Sequence, residues 1–359
     1  MIDPLVHILW LLALLAISFS VLKQYRPQAA AVSGALFLII YAPYAFFIIA
    51  LVIVQGMVLG VVISRRPRSD PWRKWGPYLV LLNLFLVDFH PLILGQFVQT
   101  IGVSFSVIRM FMATKLIVAK RKPDTENMLA HLCVAGLYLP ALVIGPIFSA
   151  ADMMKQAHAA TEESTRHSRN YRKIFTGLLL AAFLPPVFQK VADRVPPALA
   201  EAGGFFGDVI GMGITGAALF GLLFTSFWGQ SLIAEFSSRE LGFTLPQNFN
   251  RPWLARDFQN FWERWHMSMA RFVIDYIFVP LQLAGANPKF AVICAFVFMG
   301  LWHELAVGYL IWGLAHGALM AYAPRNPRTS WLQSGVFRMA TITCVIALSY
   351  IANYAFKGA

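Results

Sequence analysis

AAVSGALFLIIYAPYAFFIIALVIVQGMVLGVVIS, residues 30–64, runs without one charged side chain and meets RRPRSDPWRK (65–74) at its end. A hydrocarbon core about 30 Å thick is crossed by about 20 helical residues, so the run is too long for a single crossing. Pro43 offers the break, because proline lacks the backbone N–H and clashes with the preceding helical turn. Charge parity supports the division. KQYR (23–26), RRPRSDPWRK and KRK (120–122) are the most basic early loops, and Lys and Arg accumulate in cytoplasmic loops. An even number of crossings must then separate each pair, which puts two in 30–64 and two in 76–119, with the N-terminus facing outward.

The rest of the chain has the same character. Of 359 residues, 58% are hydrophobic and 13% charged, and the mean hydropathy is +0.63. That charge is too sparse to cover a soluble surface, so a polytopic membrane protein is predicted. Further apolar segments of spanning length lie near 4–22, 76–96, 100–119, 174–192, 205–235, 289–302, 305–323 and 331–355. The net charge of +12 is assigned to cytoplasmic loops, and no nucleic-acid partner is expected. Cys133, Cys294 and Cys344 all sit in apolar segments and form no disulfide framework or metal cluster. No basic region precedes PLVHILWLLALLAISFSVL (4–22), which reads as a retained span rather than a cleaved signal.

Two features interrupt the apolar pattern. The segment 128–149 carries Pro140 and Gly145-Pro146, and reads either as a broken or re-entrant helix beside a cavity or as a kinked span. GMGITG (211–216) has the glycine pattern of a dinucleotide loop but lies in an apolar helix with no strand before it. Close helix packing accounts for its glycines and for the ladders Gly203-Gly207-Gly211 and Gly213-Ala217-Gly221. With no repeat, low-complexity tract or soluble stretch, residues 1–359 read as one membrane domain.

Ionisable side chains are costly in hydrocarbon unless they face a partner or water. On a single helix through 248–283, Trp262, Trp265, Met269, Phe272 and Tyr276 share one face. Arg264, Ser268, Arg271 and Asp275 share another, with Arg271 and Asp275 spaced to pair. His266 lies near the boundary. The helix reads as an interfacial one or as the wall of a polar cavity. The second site is His303-Glu304, between two apolar stretches. A zinc helix needs histidine at 307, where the residue is Val307. His316 comes thirteen residues after His303. On one helix that places it roughly 220° round and about 20 Å along the axis, too far to share a metal. Spacing excludes that metal site. His303 is left as a structural group or a proton acceptor, since imidazole is a base of the right strength. His316, His90 and His131 read as structural.

PQNFNRPW (246–253), FWERWHMSMARFVIDYIFVPL (261–281) and MGLWHELAVGYLIWGLAHG (299–317) together resemble the C-terminal signature of membrane-bound O-acyltransferases, in particular their bacterial branch. Looser likenesses sit at 101–111, 137–147 and 226–250, so that the resemblance runs over about 100 to 303, and the signature region is taken as 226–317. The resemblance implies an all-α polytopic membrane protein, a ring of about nine to eleven tilted, partly broken helices around a funnel, embedded in a bacterial inner membrane. It implies His303 and His266 as the catalytic residues, His303 as the base at the constricted centre and His266 lining the tunnel. Asn248, Arg264, Trp265, Ser268, Asp275, Tyr276, Trp302 and Glu304 are then expected along the substrate tunnel. Glu304 departs from the family's usual glycine.

The activity implied is transfer of an acyl group, acetyl or another short one, from a cytoplasmic thioester to a hydroxyl of an envelope polysaccharide. Acyl-CoA or an acyl-carrier protein is the implied donor, with no bound cofactor and no metal. Membrane lipids and a periplasmic or membrane-anchored acyl-accepting protein are the implied partners. Two alternatives stand beside it: a transporter or channel, and a member of the same family acting on lipid or protein. A transporter is expected to repeat its halves with paired broken helices, and these signatures occur once.

Overall fold

The structure, a computed structural model, describes residues 20–84, 102–119, 125–159 and 167–323, with positions 10, 12–14, 16 and 17. The expected spans at 4–22 and 331–355, the span at 76–96 beyond residue 84, and His90 and Cys344 lie wholly or mainly outside the described residues. Within them the elements are helical, with no strand. Three helices are long and apolar enough to cross a membrane, and shorter apolar helices accompany them. This is an all-α, multi-pass membrane protein. Two compact units are distinguished: Met1–Thr176 with Gln230–Pro246, and Gly177–Gly229 with Gln247–Ala359.

In the first unit, α1 (Arg26–Tyr41) and α2 (Pro43–Ser64) divide the long apolar run where expected. Ala42 turns to φ -151°, ψ 62° while its N–H still reaches the Leu38 carbonyl at 2.8 Å. Pro43 opens α2 at a position where no N–H is needed. The 22 residues of α2 rise about 33 Å, enough to cross hydrocarbon. Asp70 caps α3 (Pro71–Trp75) by accepting the Trp72 N–H at 2.8 Å, which satisfies one of the free donors of the first turn. A 3₁₀ turn follows at Gly76–Leu82. The segment expected at 100–119 is α4 (Val103–Ala119).

The interruption expected within 128–149 is present. Helix α5 (Thr125–Leu137) stops, a 3₁₀ turn follows at Leu139–Ala141, and regular helix resumes only at α6 (Ala150–His158). Of the two readings the broken segment holds, not the kinked span. Leu137–Leu142 and Gly145–Phe148 are buried, so their free carbonyls need donors from the protein. Arg109 of α4 supplies one of these donors, at Ala141, and a second to Ala135 in the last turn of α5. Fully buried, it donates from Nε to Ala135 O (2.8 Å), from Nη1 to Ala141 O (2.6 Å) and from Nη2 to Ser106 Oγ (3.1 Å), with Phe148 under the guanidinium at 5.2 Å.

Helices α7 (His167–Ala182) and α8 (Leu184–Glu240) contribute to both units. α8 reverses at Gly204, whose φ of 52° and ψ of -140° only glycine adopts readily. Within the second unit, Gly221 faces the Phe188 ring and Gly229 faces the Gly177 carbonyl and Ala181. Falling numbers on one arm meet rising numbers on the other, so this is an antiparallel helical hairpin. The spans expected at 174–192 and 205–235 are its arms, found as Asn170–Val195 and Gly203–Glu240. The glycine ladders need correction: Gly221 is a packing glycine, whereas Gly203 and Gly213 have open space where a Cβ would stand.

Candidate active site

The single amphipathic helix expected over 248–283 is not continuous. It is replaced by a 3₁₀ turn at Pro252–Leu254, α9 (Phe258–Trp262), α10 (Met267–Val273), a π-helical turn at Ile274–Phe278 and α11 (Val279–Leu283). The break between α9 and α10 centres on His266, held at φ 44° and ψ 53°. A non-glycine residue in that left-handed region costs about 1–3 kcal/mol and persists only where neighbours enforce it. Here they do. Asn250 N–H bonds Arg264 O and Met267 N–H bonds Asn248 O, each at 2.9 Å, bracketing His266 between two backbone ties. Ser268 Oγ donates to Asn248 Oδ1 at 2.6 Å, and Arg264 braces the same loop through Asn260 Oδ1 (3.0 Å) and Asn250 O (3.1 Å).

Reversing the chain at 266 turns the imidazole into an aromatic frame. The Phe227 ring meets it edge-on at 4.6 Å and the Trp302 indole lies 5.9 Å away. Trp265 stacks between Phe220 and Phe261, at 5.4 Å from each. The π-helical widening after Val273 also shifts the spacing on which an Arg271–Asp275 pair depends. Both side chains are exposed and they form no ion pair with each other.

His303 ends α12 (Pro288–His303), and only Glu304–Ala306 separate it from α13 (Val307–Tyr322). The two helices form a tight hairpin. A Cβ on Gly300 would collide with the Tyr309 carbonyl, and one on Gly313 would stand 2.7 Å from the Phe296 carbonyl. That contact presses Trp312 and Tyr309 of α13 against the end of α12. Trp302, Tyr309 and Trp312 lie 4.8, 5.8 and 5.9 Å from the His303 ring. Among the described residues no side chain or carbonyl hydrogen-bonds the His303 imidazole, and the residue is exposed. Three aromatic rings surround this imidazole.

Both imidazoles line one cavity of about 550 Å³ in the second unit, and the Trp302 indole lies beside each of them. Trp265 and Trp302 also line it. Asn248, Arg264, Ser268, Asp275, Tyr276 and Glu304 do not, although the sequence placed them along a tunnel. The first three act on the His266 turn from behind. Asp275 is exposed, Tyr276 packs on Phe272 at 5.2 Å, and Glu304 closes α12, its N–H reaching Gly300 O. Phe227, Trp262 and Trp312, absent from the sequence reading of the tunnel, line the cavity. His316, read as structural from the sequence, is fully buried, with its Nδ1 2.9 Å from Trp312 O, one helical turn back.

The fold is that of a helical membrane protein, and two imidazoles border one largely apolar cavity in it. Sequence comparison makes the class specific. The family model of the membrane-bound O-acyltransferases matches residues 6–352, and the chain belongs to that family. It is 24% identical over 274 residues to a protein named "Probable alginate O-acetylase AlgI" in Pseudomonas fluorescens, covering 74% of this chain and 53% of that one. It is 27% identical over 327 residues to the teichoic acid D-alanyltransferase of Streptococcus thermophilus, covering 85% and 74%. With the peptidoglycan O-acetyltransferase of Helicobacter pylori it shares 29% identity over 217 residues, covering 55% and 38%. The chain spans about half the length of the alginate O-acetylases it matches.

Proposed function

We propose that this protein is a membrane O-acyltransferase in which His303 is the general base. The observation that carries the reading is the placement of His266 and His303, from the two signature segments, on one cavity. A thioester donor, acyl-CoA or an acyl-carrier protein, enters from the cytoplasmic side. An acceptor hydroxyl gives its proton to a His303 ring nitrogen as its oxygen attacks the thioester carbon. The C–S bond then breaks, the ester forms, and the imidazolium returns the proton to the departing thiolate. General-base assistance of this kind is worth about 10²–10⁴ in rate. His266 faces the same space and polarises the carbonyl or guides the acceptor.

The relatives' names concern alginate, teichoic acid and peptidoglycan. By that likeness the acceptor is an extracytoplasmic envelope polysaccharide, reached directly or through an acyl-accepting partner protein. The inner membrane is the location, residues 1–359 work as one catalytic domain, and the ring of helices with its funnel is part of the same proposal. Radiolabelled acyl-CoA incubated with the purified protein and envelope glycans tests it. His303→Ala is expected to remove acyl transfer while leaving the protein folded. Undiminished product from that variant would overturn the assignment of the base.

A further inference from the structure

The cavity is longer and less polar than a short acyl group requires. Val292, Ala295, Phe296, Met299 and His303 line it from α12, a single stripe at helical spacing. Val292 and His303 are eleven positions apart on that helix, a rise of about 16 Å along the axis. Leu219, Phe220, Leu223 and Phe227 of α8 line it as well. Apart from the two histidines, Tyr309 and Glu263, whose carboxylate is held by Asn260 at 2.9 Å, the lining is aliphatic, aromatic, indole or methionine, with Gly216. An acetyl group fills the space of about two water molecules, roughly 60 Å³, against the 550 Å³ present. A phosphopantetheine arm brings amides that need hydrogen-bond partners, and these walls offer few.

Resting on the acyl-transfer reading above, we infer that this cavity receives the hydrocarbon tail of the acyl group, so that the enzyme transfers a medium-length chain rather than acetyl. With C–C bonds of about 1.5 Å, an extended chain advances about 1.25 Å per carbon, so the stripe takes about a dozen carbons. The thioester carbonyl then stands at His303 and the methyl end near Val292. Each methylene buried is worth about fourfold in affinity until the cavity is full. Ala295 lies part-way along, where a larger side chain shortens the space.

The experiment uses the full-length protein in nanodiscs and non-hydrolysable thioether analogues of acetyl-, octanoyl-, dodecanoyl- and hexadecanoyl-CoA. Binding is expected to tighten at least a hundredfold from acetyl to dodecanoyl and to gain nothing further at hexadecanoyl. Ala295→Phe is expected to move the optimum to octanoyl, and Val292→Phe, near the far end, to shorten it less; either variant suffices if the other does not fold. Equal binding of all analogues, or an optimum that neither variant moves, overturns the inference. So does a phospholipid retained in native mass spectra and not displaced by dodecanoyl analogue, since a bilayer lipid then owns the cavity. In turnover with the parent thioesters, transfer of acetyl alone overturns the chain-length inference and leaves the acyl-transfer reading standing. Thiol release from none of them overturns that reading and this inference together.

Discussion

Asn248→Ala strikes the left-handed turn at His266 without touching the cavity. Asn248 and Ser268 are 1% and 4% exposed, and their 2.6 Å hydrogen bond ties the 248–250 segment to the first turn of α10. Deleting the acceptor removes a buried hydrogen bond worth about 1–1.5 kcal/mol. It also weakens the bracket that holds His266 in a conformation costing about 1–3 kcal/mol, some of which is recovered as the turn relaxes. A loss of about 1–2 kcal/mol of stability results, measured by unfolding in detergent. The effect on acyl transfer is larger, because a shift of about 1 Å at the site is worth about 10² in rate. Ser268→Ala should act in the same direction, and the double variant should fall short of the sum by about 1 kcal/mol, as contacting residues do. Additive losses, or full transfer activity in Asn248→Ala, would refute the claim that this pair positions His266.

Arg109→Leu leaves the Ala135 and Ala141 carbonyls without their donor. It should cost about 3 kcal/mol or more, read as loss of folded protein after extraction. Arg109→Lys should recover only part of it, since one ammonium cannot reproduce the guanidinium fork. Gly300→Ala forces α12 and α13 apart at the Tyr309 carbonyl. A loss of about 1–3 kcal/mol is expected, with transfer activity falling further as the aromatic frame of His303 opens. Near-normal activity would show that the hairpin contact does not set the imidazole.

What the sequence made legible follows from local chemistry. Pro43 lacks an N–H, and the helix breaks beside it. Pro140 and Gly145-Pro146 cannot continue a helix, and the helix stops at Leu137. His266 and His303 stand out because ionisable groups in apolar sequence need a reason, and both reach the cavity. The roles of Asn248, Arg264 and Ser268 were not legible. A helical wheel assumes continuity, and the wheel through 262–276 crosses a left-handed residue that no spacing announces. Arg109 escaped notice because its partners are backbone carbonyls, which look alike in every sequence. Trp312 and Phe227 carry no signal beyond being aromatic in an apolar span, and only the hairpin contact brings Trp312 to His303.

The buried guanidinium of Arg109 bears on how the chain enters the membrane. Its carbonyl partners lie 26 and 32 residues later in the sequence. At about 5–20 residues per second of synthesis, Arg109 waits about one to six seconds before they emerge. During that interval the guanidinium has Ser106 of its own helix as a partner but neither of the two carbonyls. The partner set that lets this cation be fully buried is therefore complete only once α5 and the broken segment have followed α4.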